Sequence, residues 1–65
     1  MHINSKYIKH RVILKRYDAR EAAWELFPGE CIDAYHTPSG GTTFVVRCDD
    51  GRIRKGANIK FEGEA

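Results

Sequence analysis

Two turn signals constrain this chain more than anything else in it. Pro38-Ser39-Gly40-Gly41 and Asp50-Gly51 lie one strand's length apart, with "TTFVVRCD" between them. Gly and Pro clusters punctuate strands, and Asp-Gly is a strong hairpin signal. "ECIDAYHT", "TTFVVRCD" and the residues after Gly51 must therefore run as an antiparallel meander. A helix has no place in this half of the chain.

The register of the first hairpin can be argued. If Thr37 faces Thr42, Cys31 faces Cys48 but Ile32 faces Arg47. If Thr37 faces Thr43, Asp33 meets Arg47, Tyr35 meets Val45, Ala34 meets Val46 and Ile32 meets Cys48. The second register gives an ion pair and one apolar face, and a one-residue slip inverts every face. It is the expected one, with Ile32, Ala34, Phe44, Val46 and Cys48 inward. Cys31 and Cys48 then lie on opposite faces, which argues against a disulfide. A two-residue Asp50-Gly51 turn places Cys48 opposite Ile53, so Ile53 faces inward and Arg52 and Arg54 outward. "KGAN" then reads as a tight turn or one 3₁₀ turn. "IKFE" reads as a last short strand, with Ile59 and Phe61 inward.

Upstream, "YIKHRVILKRY" (Tyr7 to Tyr17) reads as a strand, with Lys9, Arg11 and Lys15 at period two. Residues 1–8 read as an extended or frayed arm. His2 and His10 can add charge there near neutral pH. Asp18 and Glu21 have capping-box spacing, and Ala19, Ala22, Ala23 and Leu26 fall on one helical face. Two helical turns over Ala19–Leu26 are expected, ended by Pro28-Gly29. The alternative is a long irregular loop, because so short a helix is marginal without packing.

At 65 residues the chain is read as one domain with one small core. A chain of this size buries roughly 60% of its unfolded surface. A deep substrate pocket has little room to form, and an enzyme is not expected. No run is long enough to span a membrane, and "MHINSKYIKHRV" has no secretory h-region. The expected location is the cytoplasm of the producing cell or of an infected host. The net charge of +2 is unevenly spread. Residues 1–20 hold six basic groups against Asp18, residues 21–33 hold only Glu21, Glu25, Glu30 and Asp33, and the remainder is nearly balanced.

The order is a first strand rich in Val and Lys, a Gly-led second strand (Gly29-Glu30-Cys31-Ile32), a third ending in Asp50-Gly51, then two short strands across a tight turn. Over roughly Val12 to Phe61 this resembles the SH3-like small barrels, in the broad style of KOW and Tudor domains. The resemblance implies a mostly β, five-stranded barrel with a short helix or long loop between strands 1 and 2. It implies a binding module, often for RNA, DNA, ribosomal components or peptides. Fold alone does not choose among these.

Two functional expectations follow. In the first, the module binds nucleic acid. Lys9, Arg11 and Lys15 on the first strand and Arg52, Arg54 and Lys55 on the last hairpin would join into one stripe if first and last strands pair. Such a stripe attracts phosphates by charge and counterion release. Tyr7, Tyr17, Trp24 and Tyr35 are candidates for stacking or interface contacts. The same cations would equally serve as edge protection against aggregation. In the second, a protein-binding adaptor or inhibitor, such as a phage- or plasmid-encoded factor, engages a host protein. Its contacts would be Trp24 and the acidic Glu21, Glu25 and Glu30. Trp24 lies off the Ala22–Ala23–Leu26 face, as an interface anchor would, but a core or boundary role suits a chain with so little apolar bulk. Homo-oligomers through strand edges fit either expectation. No cofactor is expected. A metal site from Cys31, His36 and Cys48 would need ligands from both faces. No nucleophile, base and orienting group have recognisable spacing.

Overall fold

A computed structural model describes residues 5–63. Among these residues there are five strands and no helix: β1 (Arg11–Asp18), β2 (Ala23–His36), β3 (Thr42–Cys48), β4 (Ile53–Gly56) and β5 (Ile59–Phe61). They form one antiparallel sheet in the order β4-β3-β2-β1-β5. First and last strands pair as expected, through Val12–Phe61, Ile13–Lys60 and Leu14–Ile59. The expected barrel does not close, because β4 and β5 share no ladder. Ala57-Asn58 links them, and the Asn58 carbonyl accepts the Lys15 N–H at 2.8 Å. The chain is thereby committed to β1 as soon as it leaves β4. The sheet curls instead, bringing β4 over β1. A Cβ added to Gly56 would stand 2.9 Å from Leu14 Cδ1.

The inner face carries a core of Val12, Leu14, Cys31, Val46 and Cys48. Tyr7, Ile8, Phe27, Phe44, Ile59 and Phe61 pack around it, half-buried. Gly29 lies in β2 opposite Cys48. A Cβ there would collide with the Arg47 carbonyl and come within 2.7 Å of Cys48 Cα. Only glycine lets β2 and β3 approach so closely.

The expected helix over Ala19–Leu26 is replaced by strand pairing. β1 and β2 pair from Arg11–Glu30 to Asp18–Ala23, with Tyr17 opposite Trp24 and Lys15 opposite Leu26. Asp18 uses its carboxylate locally, accepting the Arg20 N–H at 2.9 Å in an Asx turn rather than capping a helix. Ala22 completes the reversal at φ 50°. Two isolated helical turns have no packing partner here, whereas the strand gains a full ladder with β1.

The β2–β3 register differs from the expected one. Tyr35 pairs with Thr43 and Ala34 with Phe44, a slip of two. A slip of two preserves every face. Ala34, Val46 and Cys48 therefore point inward as expected and are buried. The register shifts again at Ile32, between Cys31 and Asp33. The bulge turns Cys31 into the core and leaves Ile32 half-buried, reversing the expected roles. Cys31 and Cys48 thus share one core, not opposite faces, and both are free thiols. The expected Asp33–Arg47 pairing is absent. Asp33 accepts its neighbour Ala34's N–H at 2.8 Å, and Arg47 pairs across to Glu30.

The β3–β4 turn holds three residues rather than two. The Cys48 N–H donates to the Arg52 carbonyl at 2.8 Å and the Gly51 N–H to the Cys48 carbonyl at 2.9 Å. Gly51 has φ 88°, the left-handed residue that follows a type I turn in this loop. The extra residue inverts β4. Ile53 pairs with Arg47 and is 58% exposed, while Arg54 pairs with the buried Val46.

The first strand begins at Arg11, not Tyr7. Residues 6–9 form a turn ahead of it. The Ile8 N–H donates to the Ser5 carbonyl at 3.1 Å, and the Tyr7 ring sits 5.4 Å from Phe44 and 4.7 Å from Phe61. The remainder of the proposed arm, Met1–Asn4 with His2, lies outside the described residues.

Candidate nucleic-acid interface

Alternation along β1 and β2 sends every second side chain to the outer face. There β1 presents Arg11, Ile13, Lys15 and Tyr17, and β2 presents Trp24, Leu26, Pro28 and Glu30. Lys60 of β5 joins them opposite Ile13. Tyr17, Trp24 and Leu26 are each more than half exposed. The expected core or boundary role for Trp24 is therefore not seen: the indole stands on the sheet's outside. Its edge is held by Tyr17, with ring centroids 5.4 Å apart and an interplanar angle of 67°. Lys15 Nζ lies 5.4 Å from the indole centroid, within cation–π range.

Between Trp24 and the start of β5 lies an open cleft of about 360 Å³, lined by Lys15, Trp24, Ala57, Asn58, Ile59 and Lys60. Among the described residues, two lysines and no carboxylate line it. Two other clefts differ in charge. The one at the hairpin tip balances Arg16 and Arg20 against Asp18 and Glu25. The one between Phe27 and the β3–β4 turn sets Asp49 and Asp50 against Arg54.

The six cations expected in one stripe are dispersed. Lys9 precedes β1 in a left-handed conformation, φ 70°, outside the β1 ladder. Arg11 is clamped by carboxylates, donating to both Asp49 oxygens at 2.6 and 2.7 Å and to Glu62 Oε2 at 2.9 Å. Its hydrogen bond holds the Asp49 carboxyl below the usual carboxylate range. Arg54 turns inward against Phe27 and donates to Asp50 Oδ1 at 3.1 Å. That bond, with the Arg52 N–H, likewise lowers Asp50. Arg52 beside β4 and Lys55 on it remain exposed, and β3 and β2 lie between them and β1 in the sheet. Of the original set, Lys15 alone stands beside an exposed aromatic ring.

Tyr35 sits half-buried near the far end of β2, opposite Thr43 and remote from Trp24. The acidic residues expected around Trp24 are not gathered there. Glu25 pairs with Arg16 on the other face, Glu30 lies 4.0 Å from Arg47, and Glu21 is in the hairpin turn. Lys60 and Leu26 of the outer face were not among the expected site residues. Lys60 was legible, since Ile59 and Phe61 flank it and point inward. Leu26 was hidden by the helical assignment, which placed it on a packed face.

Among the described residues, no cluster of three His, Cys, Asp or Glu side chains is placed to hold a metal. Burial pushes the Cys31 thiol above its ordinary value, and its Sγ–H donates to the Asp33 carbonyl at 3.5 Å. No helix among these residues is long and apolar enough to cross a membrane. No protein-family model, curated protein or solved structure matches the chain.

Proposed function

We propose that this chain is a non-enzymatic binding module that takes nucleic acid on the outer face of β1, β2 and β5. The observation that carries this reading is the Trp24 cleft, where an exposed indole meets two lysines and, among the described residues, no carboxylate lines the walls. Phosphates supply the matching charge and bases the matching surface. The fold reading behind it is an opened variant of the SH3-like, KOW/Tudor-style small barrel. Its support is the pairing of β1 with both β2 and β5, together with the short β4. Lys15 and Lys60 form the centre of the interface, with Lys9, Arg52 and Lys55 as outlying cations. Arg11 and Arg54 act in the fold, because their guanidinium groups are already committed to carboxylates.

The test is an NMR titration of amide-labelled protein with short RNA and DNA at two salt concentrations. Shifts centred on Lys15, Trp24 and Asn58–Lys60 that fade with added salt are expected. An unchanged spectrum at low salt would defeat the reading.

A second reading, a small adaptor or inhibitor that docks on a protein, draws on Leu26. Its side chain is 56% exposed beside Trp24, and an apolar side chain there adds nothing to phosphate binding. Such binding would depend little on salt and strongly on Trp24.

A further inference from the structure

We infer that the Trp24 cleft is a subsite for one unpaired nucleobase: the base stacks on the indole, and Lys15 and Lys60 hold the flanking phosphates. The inference rests on the nucleic-acid reading and narrows it to single strands.

Three features of the cleft lead there. The indole is 52% exposed, and Tyr17 of the opposite strand packs against it with ring centroids 5.4 Å apart, so one side of the ring already has a partner while the rest is open. An aromatic ring that already has a partner costs less entropy to fix when a ligand arrives. The cleft volume, about 360 Å³, is at the small end of ligand sites and suits one nucleotide rather than a long groove. Among the described residues its lining charge is one-sided, whereas the clefts at the hairpin tip and beside the β3–β4 turn carry at least as many carboxylates as cations.

A duplex cannot use this arrangement. Its bases are stacked on one another and it offers phosphates to a protein edge, so an exposed indole gains little from it. An unpaired strand offers both a ring face and phosphates. Lys15 now lies over the indole and lines the same cleft. A base entering the cleft displaces that ammonium from the ring, and the lysine moves to the neighbouring phosphate. The cation over the ring is thus a placeholder for the base. Stacking is tolerant of base identity, so little sequence preference is expected.

Trp24 is the chain's single tryptophan, so its fluorescence reports this site alone. The experiment titrates the protein with a fluorescently labelled oligothymidylate, the abasic oligonucleotide of equal length and a duplex. Oligonucleotide anisotropy and tryptophan emission are followed together. The expected result is quenching by oligothymidylate, roughly tenfold weaker binding of the abasic strand, and a comparable loss in Trp24→Ala that Trp24→Phe largely restores. Lys15→Gln and Lys60→Gln should each flatten the salt dependence by roughly 0.7 in log–log slope. Equal, salt-sensitive binding of all three ligands with unchanged emission overturns the base subsite and leaves phosphate binding standing. No anisotropy change with any ligand at low salt removes the nucleic-acid reading and the subsite with it.

Discussion

The Arg54 guanidinium lies 4.2 Å from the centroid of the Phe27 ring, inside the curl of the sheet. Asp50 holds its outer side in an ion pair at 3.1 Å, and 18% of the side chain is exposed. Arg54 thus closes the core beside Val46 as an apolar residue would, its stem and planar group packed and its charge met at the rim. Arg54→Ala should lower the melting temperature by roughly 4–8 °C, as loss of a packed cation–π contact does in a domain of this size. Arg54→Lys should recover only part, since an ammonium lacks the flat face. Thermal melts followed by circular dichroism measure both. Arg52→Ala, at an exposed side chain two positions away, should change little.

That residue also shows where the sequence was legible and where it was not. The turn at Asp50-Gly51 was plain, as were the strands on either side. Its length was not, because Asp-Gly serves a two-residue loop and Asp-Asp-Gly a three-residue one equally well. One extra residue exchanged Ile53 and Arg54 between faces. The Ile32 bulge was hidden in the same way: Cys31 and Ile32 are both apolar, so hydrophobic alternation cannot say which of them turns in. In the candidate site, Lys15 and Trp24 were legible as residues but not as neighbours. Their proximity depends on residues 23–26 being strand, while Asp18, Glu21 and the alanines carry a local helical preference. Tertiary pairing with β1 overrode that preference, as it does for short segments.

Gly29 is the tightest point of the β2–β3 approach. Gly29→Ala forces a methyl group against the Arg47 carbonyl and Cys48 Cα, both backbone atoms that cannot step aside. The expected loss is about 1–3 kcal/mol, the range of overpacking in a close-fitted interior. Urea denaturation should show a lower midpoint at an unchanged slope. Gly40→Ala is the contrasting control, because its Cβ meets nothing within 4 Å. Any loss there comes from its φ of 92° alone and should be smaller.

Acid should weaken the fold through Asp49 and Asp50. Both carboxyls are held below their ordinary value, mainly by hydrogen bonds from Arg11 and from Arg54 respectively. A carboxyl lowered in the folded state stabilises it above the unfolded-state value. That contribution is lost as pH falls toward the folded value, because the unfolded chain takes up its protons first. The melting temperature should therefore be flat from about pH 7 to 5 on this account and decline below about pH 4. In Asp49→Asn the whole curve should start lower and the acid decline should be shallower. An equal decline in both proteins would assign the acid sensitivity to other carboxylates.

Leu14 and Leu26 separate core from surface, and Leu26 separates the two functional readings. Leu14 is fully buried on the inner face of β1, whereas Leu26 is 56% exposed on the outer face of β2. Leu14→Ala should destabilise by about 2–5 kcal/mol, the usual loss for truncating a buried leucine. Leu26→Ser should stay within about 0.5 kcal/mol, as surface changes do. With the fold intact, Leu26→Ser becomes a clean functional probe. A nucleic-acid interface centred on Trp24, Lys15 and Lys60 should keep its affinity within about twofold, because Leu26 offers neither charge nor a ring face. A protein interface seated on Trp24 and Leu26 would weaken by tenfold or more, since apolar anchors beside a tryptophan dominate such contacts. Anisotropy titration of labelled oligonucleotide with the Leu26→Ser protein gives the answer: retained binding supports a nucleic-acid face centred on Trp24, Lys15 and Lys60, and a large loss places Leu26 inside the oligonucleotide contact and overturns that centre.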